Sequence, residues 1–250
     1  MLGRVDARMS ADDVARGHVL SRREALALLG ATGFTLLGGA RPARGQSAAP
    51  IAGCVVRPAQ TEGPYFVEEA LNRSDIRVDP SDGTVKPGTP LELTLLMARL
   101  GRAGCAPLAG ARVDVWHSDH LGVYSDVTDP GGSTVGRKFL RGYQLADGEG
   151  RVRFLTVYPG AYQGRTVHIH FKVRSPQGQR PGYEFTSQLY FDDALTDRVL
   201  ATPPYGARGR RGVRNADDGL YRRGGRELTL ALAPRDGGYA GTFTVALDGA

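Results

Sequence analysis

Cysteine is scarce in this 250-residue chain, with Cys54 and Cys105 its only two. Neither lies near a histidine pair in sequence, which counts against a zinc–thiolate centre. No glycine-rich loop follows a strand and opens a helix, so nucleotide binding has no support. No internal repeat is apparent, and the one apolar run near the start is too short and too rich in glycine to span a membrane. The formal net charge of +6 falls to +3 once residues 1–45, with seven arginines and four acidic residues, are set aside. Such a mild excess does not announce a nucleic-acid partner. Arg208, Arg210, Arg211 and Arg214 do cluster, but among glycines and without interleaved aromatics to stack on bases. A solvated loop is the plain reading, and a role in drawing in acidic aromatic substrates is the alternative.

What is present begins with a processing signal. Ser21-Arg22-Arg23 precedes the apolar run Ala25 to Leu37, and small and polar residues follow through Ser47. A basic stretch, a short apolar stretch and a small-residue end predict a twin-arginine export segment over residues 1–45, with the main folded domain at 46–250. A buried amphipathic helix is the competing reading. Export would place the protein in the periplasm or outside the cell, an oxidising setting in which Cys54 and Cys105 are expected to form one disulfide tying the N-terminal arm to the Gly101–Pro107 loop.

From Leu91 onward the pattern is β. Strands are predicted at 91–98, 111–116, 137–143, 151–157, 166–173, 184–191, 227–233 and 241–247, with Pro234 to Gly238 as a hairpin turn. One short helix is predicted at 192–200. Short strands separated by Gly, Pro and Asp turns imply an all-β fold, an antiparallel β-sandwich with long coil arms. Residues 67–90, rich in Asp, Gly and Pro, read as coil wrapped over that domain.

The chemistry gathers in Gly160-Ala-Tyr-Gln-Gly-Arg-Thr-Val-His-Ile-His-Phe-Lys-Val173. Alternate residues of a strand share a face, so His168 and His170 point together while Val167, Ile169, Phe171 and Val173 face a core. Two imidazoles fill part of a coordination sphere, and Tyr162 stands on the loop leading in. Tyr124 closes the polar stretch that begins at Asp114. Two tyrosines with two histidines would be an odd set for zinc, whereas phenolate is a hard anionic donor suited to a ferric ion. A His-x-His pair is also often only hydrogen-bonded or exposed. His117 and His120 could instead complete a zinc or copper site.

The stretch Trp116 to Tyr124, the stretch Gly160 to Phe171, Ser187-Gln-Leu-Tyr-Phe191 and the Thr61-Glu-Gly-Pro-Tyr-Phe66 turn together resemble the intradiol ring-cleavage dioxygenases, especially the protocatechuate 3,4-dioxygenase β-chain and its exported relatives. The resemblance covers roughly residues 54 to 248. It implies a non-haem Fe(III) held by Tyr124, Tyr162, His168 and His170. Tyr124 would be the equatorial tyrosine that stays bound, and Tyr162 the axial one that leaves when substrate chelates and takes one of its protons. Arg165 would stabilise carbanion character on the substrate, with Gln188 beside it. The implied partners are a small catecholic substrate and O2, and the implied product is a cis,cis-muconate-type diacid.

Three departures bear on the substrate. The spacing from Tyr162 to His168 is shorter than in the protocatechuate enzyme, the helical dimerisation segment of the catechol 1,2-dioxygenases is missing, and an export signal is foreign to both groups. The alternative from another class is a secreted β-sandwich that binds a ligand without metal, using Tyr65, Trp116, Tyr143, Tyr158 and Tyr190 as stacking surfaces.

Overall fold

The computed structural model describes residues 54–102, 104–180, 182–208 and 212–248. The predicted export segment and Arg210 and Arg211 of the arginine cluster lie outside the described residues. The described residues form eleven strands and one short α-helix: β1 (Pro90–Gly101), β2 (Gly104–Pro107), β3 (Arg112–Trp116), β4 (Thr128–Asp129), β5 (Gly132–Ser133), β6 (Arg141–Leu145), β7 (Arg151–Val157), β8 (His168–Arg174), β9 (Glu184–Tyr190), α1 (Asp193–Leu200), β10 (Ala233–Arg235) and β11 (Gly238–Asp248). Among the described residues no helix is long and apolar enough to cross a membrane.

Two sheets face each other. One runs β10-β11-β1-β2, with β7 also pairing with β1, and the other runs β6-β3-β8-β9. The alternation of apolar residues dictates which faces meet. Leu91, Leu93, Leu95 and Met97 of β1 are fully buried and join Val152 and Phe154 of β7 and Phe243 and Val245 of β11. Across from them lie Val113 and Val115 of β3 and Ile169, Phe171 and Val173 of β8, in the same core. Inward and outward residues alternating on both sheets define a sandwich, as the sequence pattern predicts.

The predicted antiparallel order has one exception. β1 pairs in parallel with β11, from Leu91 with Tyr239 to Leu100 with Asp248, while every other ladder between these strands is antiparallel. Cys54 and Cys105 are disulfide-bonded with Cα atoms 6.2 Å apart, which ties the arm to β2 as expected. The helix begins where the sequence places it, because Asp192 caps it by accepting from the Leu195 N–H at 2.8 Å.

Two predicted strands are displaced. Residues 137–140 are not sheet: Leu140 has a φ of 54°, and Arg137 turns out to pair with Asp79 and Asp82. The strand therefore starts only at Arg141. The segment predicted as strand 227–233 instead opens with a 3-10 turn at Gly225–Leu228. Gly224 sits at a φ of 104°, and a β-carbon on Gly225 would stand 2.4 Å from the Tyr221 ring, so the two glycines permit a tight reversal there. Leu228 and Leu230 then drop into the core.

Candidate metal centre

The candidate site lies at the end of the β6-β3-β8-β9 sheet, where β8 starts. Tyr124 and Tyr162 reach it from two loops whose main chains touch. Gly160 donates its N–H to the Asp119 carbonyl at 3.0 Å, and Ser118 Oγ donates to the Gly160 carbonyl at 3.1 Å. A β-carbon on Gly160 would stand 2.4 Å from the His120 carbonyl oxygen, and one on Gly122 2.3 Å from that of Ala161. Only glycine permits so close an approach. Asp119 rigidifies the first loop: its Oδ1 accepts from the N–H groups of Leu121 and Val123, and its other oxygen pairs with Lys86 at 2.7 Å. Buried Arg141 fastens the far side by donating to Ser125 Oγ at 2.8 Å and to the Ser125 carbonyl. Tyr65 stacks on Tyr124 with ring centroids 4.5 Å apart.

The side chains proposed from sequence come together around one atom. His168 Nε2 lies 3.0 Å from His170 Nε2, 3.3 Å from the Tyr162 hydroxyl, 3.5 Å from the Tyr124 hydroxyl and 3.5 Å from Arg165 Nη1. His168 Nδ1 donates to the Thr166 carbonyl at 2.7 Å, so Nε2 presents its lone pair to the cluster. His170 stacks on Trp116 with centroids 5.0 Å apart and planes 9° apart, and its Nδ1 is buried without a hydrogen-bond partner. One lone pair cannot serve three donating groups and a second imidazole. A cation among these atoms would resolve the crowding by turning both hydroxyls into anionic acceptors.

Burial sets the protonation states. It pushes His168 down to about 3, with the Arg165 cation adding to the effect, and holds His170 well below the ordinary range, so both imidazoles are neutral. Burial also raises Tyr162 and lifts Tyr124 well above the usual phenol range, which keeps them protonated until a cation stands beside them. Two neutral imidazoles and two phenol oxygens form a hard N and O donor set that fits a ferric ion.

Of the other described histidines, His120 packs edge-on against the Tyr205 ring with centroids 6.3 Å apart, and His117 is engaged elsewhere. His117 spends both ring nitrogens, on Thr156 Oγ1 at 2.7 Å and on the Ser118 carbonyl at 2.8 Å. Among the described residues no group of three or more His, Cys, Asp or Glu side chains stands ready for a metal, which removes the four-histidine alternative. Of the five aromatics offered as stacking surfaces, Trp116, Tyr158 and Tyr190 are at most 1% exposed and cannot stack on a ligand, whereas Tyr65 and Tyr143 are partly exposed.

Arg165 is held from two sides. Nη2 donates to Gln188 Oε1 at 2.7 Å, and Nε donates to Asp218 Oδ2 at 2.7 Å. Gln188 in turn donates to the Thr61 carbonyl, and the Tyr190 hydroxyl bridges Gln60 and Gln188. Asp218, Tyr190 and Gln60 carried no signal in the sequence that singled them out for this role. Of the arginine cluster, Arg214 pairs with Asp197 of α1.

The family described as "Dioxygenase" matches residues 61–208. The protocatechuate 3,4-dioxygenase β-chain of Burkholderia cepacia is 33% identical over 144 residues, which are 53% of this chain and 60% of that protein. The chain thus spans less than two thirds of that relative. Among solved structures, an intradiol ring-cleavage dioxygenase from Tetranychus urticae aligns with a TM-score of 0.67 at 30% identity, covering 78% of this chain and 95% of the other. The dioxygenase domain of a dioxygenase and carbohydrate-binding protein fusion from Streptomyces sp. SirexAA-E aligns at 30% identity with a TM-score of 0.55, covering 78% of this chain and all of that domain. With a sandwich of this topology and the family match over more than half its length, the chain belongs to the intradiol ring-cleavage dioxygenase family.

Proposed function

We propose that this protein is a non-haem Fe(III) dioxygenase that opens a catechol-type ring between its two hydroxylated carbons with O2, giving a cis,cis-muconate-type diacid. The observation that carries the reading is the convergence of both tyrosine hydroxyls, the His170 imidazole and one guanidinium on His168 Nε2. Members of the family typically use non-haem Fe(III). In this reading Tyr124, Tyr162, His168 and His170 hold the metal. Bound there, ferric iron supplies the Lewis acidity that draws electron density from a chelated catecholate and opens a ring carbon to O2.

The chain's own residues divide the remaining work. Tyr124 is 2% exposed and clamped by Tyr65 and the Arg141-braced loop, which suits a ligand that stays. Tyr162 is only partly buried, on a loop, and suits a ligand whose phenolate would take a substrate proton at Oη and leave as the neutral phenol. Arg165, always charged and planar, stabilises negative charge that develops on the ring. Gln188 holds it by accepting from Nη2.

Residues 1–45 are proposed to be a twin-arginine export segment and residues 46–250 the catalytic domain, which places the enzyme in the periplasm or outside the cell. The disulfide supports this, since such bonds persist in oxidising compartments. The reading is tested by supplying the iron-loaded protein with substituted catechols and O2 and identifying the products. A broad visible tyrosinate-to-iron band and ring opening between the hydroxyls are expected. A correctly folded, iron-replete protein that is colourless, or that opens the ring outside the hydroxyls, would refute it.

A further inference from the structure

The segment after the arginine cluster reaches back into the candidate site. Asp218 is 1% exposed and uses both carboxylate oxygens. Oδ1 accepts from the N–H groups of Leu220 at 2.7 Å and Tyr221 at 3.0 Å, which fixes the carboxylate on its own turn. Oδ2 accepts from Arg165 Nε at 2.7 Å and from the Thr166 N–H at 2.9 Å. Three residues earlier, Asn215 accepts from Thr166 Oγ1 at 2.7 Å and donates to the Phe191 carbonyl at 2.8 Å. The turn therefore grips the main chain at Thr166 and the guanidinium at Arg165, one residue apart. Both grips matter at the site, because the Thr166 carbonyl orients His168 and Arg165 aims Nη1 at His168 Nε2. The family match ends at residue 208, so these residues lie beyond the matched segment.

We propose that Asp218 is the positioning residue for Arg165, acting through the guanidinium and not on substrate. The assignment rests on the dioxygenase reading for its catalytic consequence, but not for the link itself. An arginine held at Nε and at Nη2 has lost the freedom to swing, and its remaining nitrogen is left facing the place where ring charge would develop. Without Asp218, one side of the grip is gone and the guanidinium is free to move by an ångström or more, a displacement that costs on the order of 10²-fold when a positioned group carries catalysis. Lysine at 165 has no Nε–H fork to offer the carboxylate, so there the effect of Asp218 should vanish.

The test is a cycle of Asp218→Asn, Arg165→Lys and the double variant, each loaded with iron. Visible colour and iron content should match the parent in all of them. Asp218→Asn should lower kcat/KM by roughly 10- to 100-fold with most of the fall in kcat, yet lower it less than about twofold in the Arg165→Lys background. Equal losses in both backgrounds would overturn the proposal, as would loss of iron from Asp218→Asn. The link is also read without metal: in the metal-free protein the two single drops in thermal midpoint should sum to more than the drop of the double variant, and additivity would overturn it. A colourless parent would sink the iron reading alone and leave this second readout to decide. If the asparagine variant does not fold, Asp218→Ser keeps an oxygen for the Leu220 and Tyr221 N–H groups while releasing Arg165, and the same outcomes apply.

Discussion

Gly160 is pressed against Asp119 so closely that its N–H bonds the Asp119 carbonyl at 3.0 Å and a β-carbon would come within 2.5 Å of the same oxygen. This contact sets the separation of the two loops that deliver Tyr124 and Tyr162. Gly160→Ala is expected to cost about 1–3 kcal/mol or more, because backbone cannot yield as a side-chain tip does. It should also weaken iron retention. Gly148→Ala, with nothing within 4 Å of the added carbon, is the matched control and should leave both unchanged. Thermal melts and metal analysis of the two variants decide the point.

The tyrosines should separate in their effects. Tyr162→Phe is expected to retain some iron and bind catechols slowly, seen by mixing under anaerobic conditions and following the visible band. Tyr124→Phe should lose metal or shift that band. Unchanged colour and turnover in Tyr162→Phe would remove it from the ligand set.

Arg165→Ala should keep iron yet lose most turnover, on the order of 10²-fold or more if one preorganised charge is missing. Full activity in that variant would exclude the guanidinium from the reaction.

Much of this was legible in the residues, and what was not has a common cause. The period-two pattern of β1, β7 and β8 and the cap at Asp192 are local signals, so the strands and the helix start could be read along the chain. The proposed ligands stood out because tyrosine and histidine at those spacings are unusual together. Their convergence on one atom is seen only in three dimensions. Asp218 could not be found that way: it stands among arginines and glycines without periodicity, and its partner is 53 residues away. Likewise, the parallel pairing of β1 with β11 depends on the closing of the whole sandwich, which no local stretch encodes.

The acid behaviour at the far end of β3 and β8 follows from Glu68. The Arg174 guanidinium, which donates to it at 2.6 Å, holds its carboxyl below the usual carboxylate range, and Arg112 adds to the effect. A depressed folded-state value means that the stabilisation is present above the unfolded carboxylate value of about 4.3 and is lost as pH falls through the lower folded one. Glu68→Gln should therefore be less stable than the parent at neutral pH and indistinguishable from it in strong acid. Urea midpoints at both pH values test this, and a constant gap would contradict it. The effect should be small, since the side chain is 46% exposed.

Replacing Cys54 and Cys105 together with serine should cost about 3–4 kcal/mol, given the loop that the bond closes across a sequence separation of 51. A fall of about 10 °C in the melting midpoint is the expected size for a domain of this length. Identical midpoints with and without reductant would show that the bond adds nothing.

The parallel ladder between β1 and β11 has a consequence for the order of events during synthesis. β1 sits centrally, yet its neighbour along the Leu91–Leu100 flank is β11, the most C-terminal strand among the described residues. A nascent chain can gather β3, β6, β7, β8 and β9 as they emerge, but β1 keeps an open edge until residues 238–248 have left the ribosome. Completion of the sandwich therefore waits for residues 238–248, and a chain stalled before Gly238 carries an unpaired apolar strand that invites association with its neighbours.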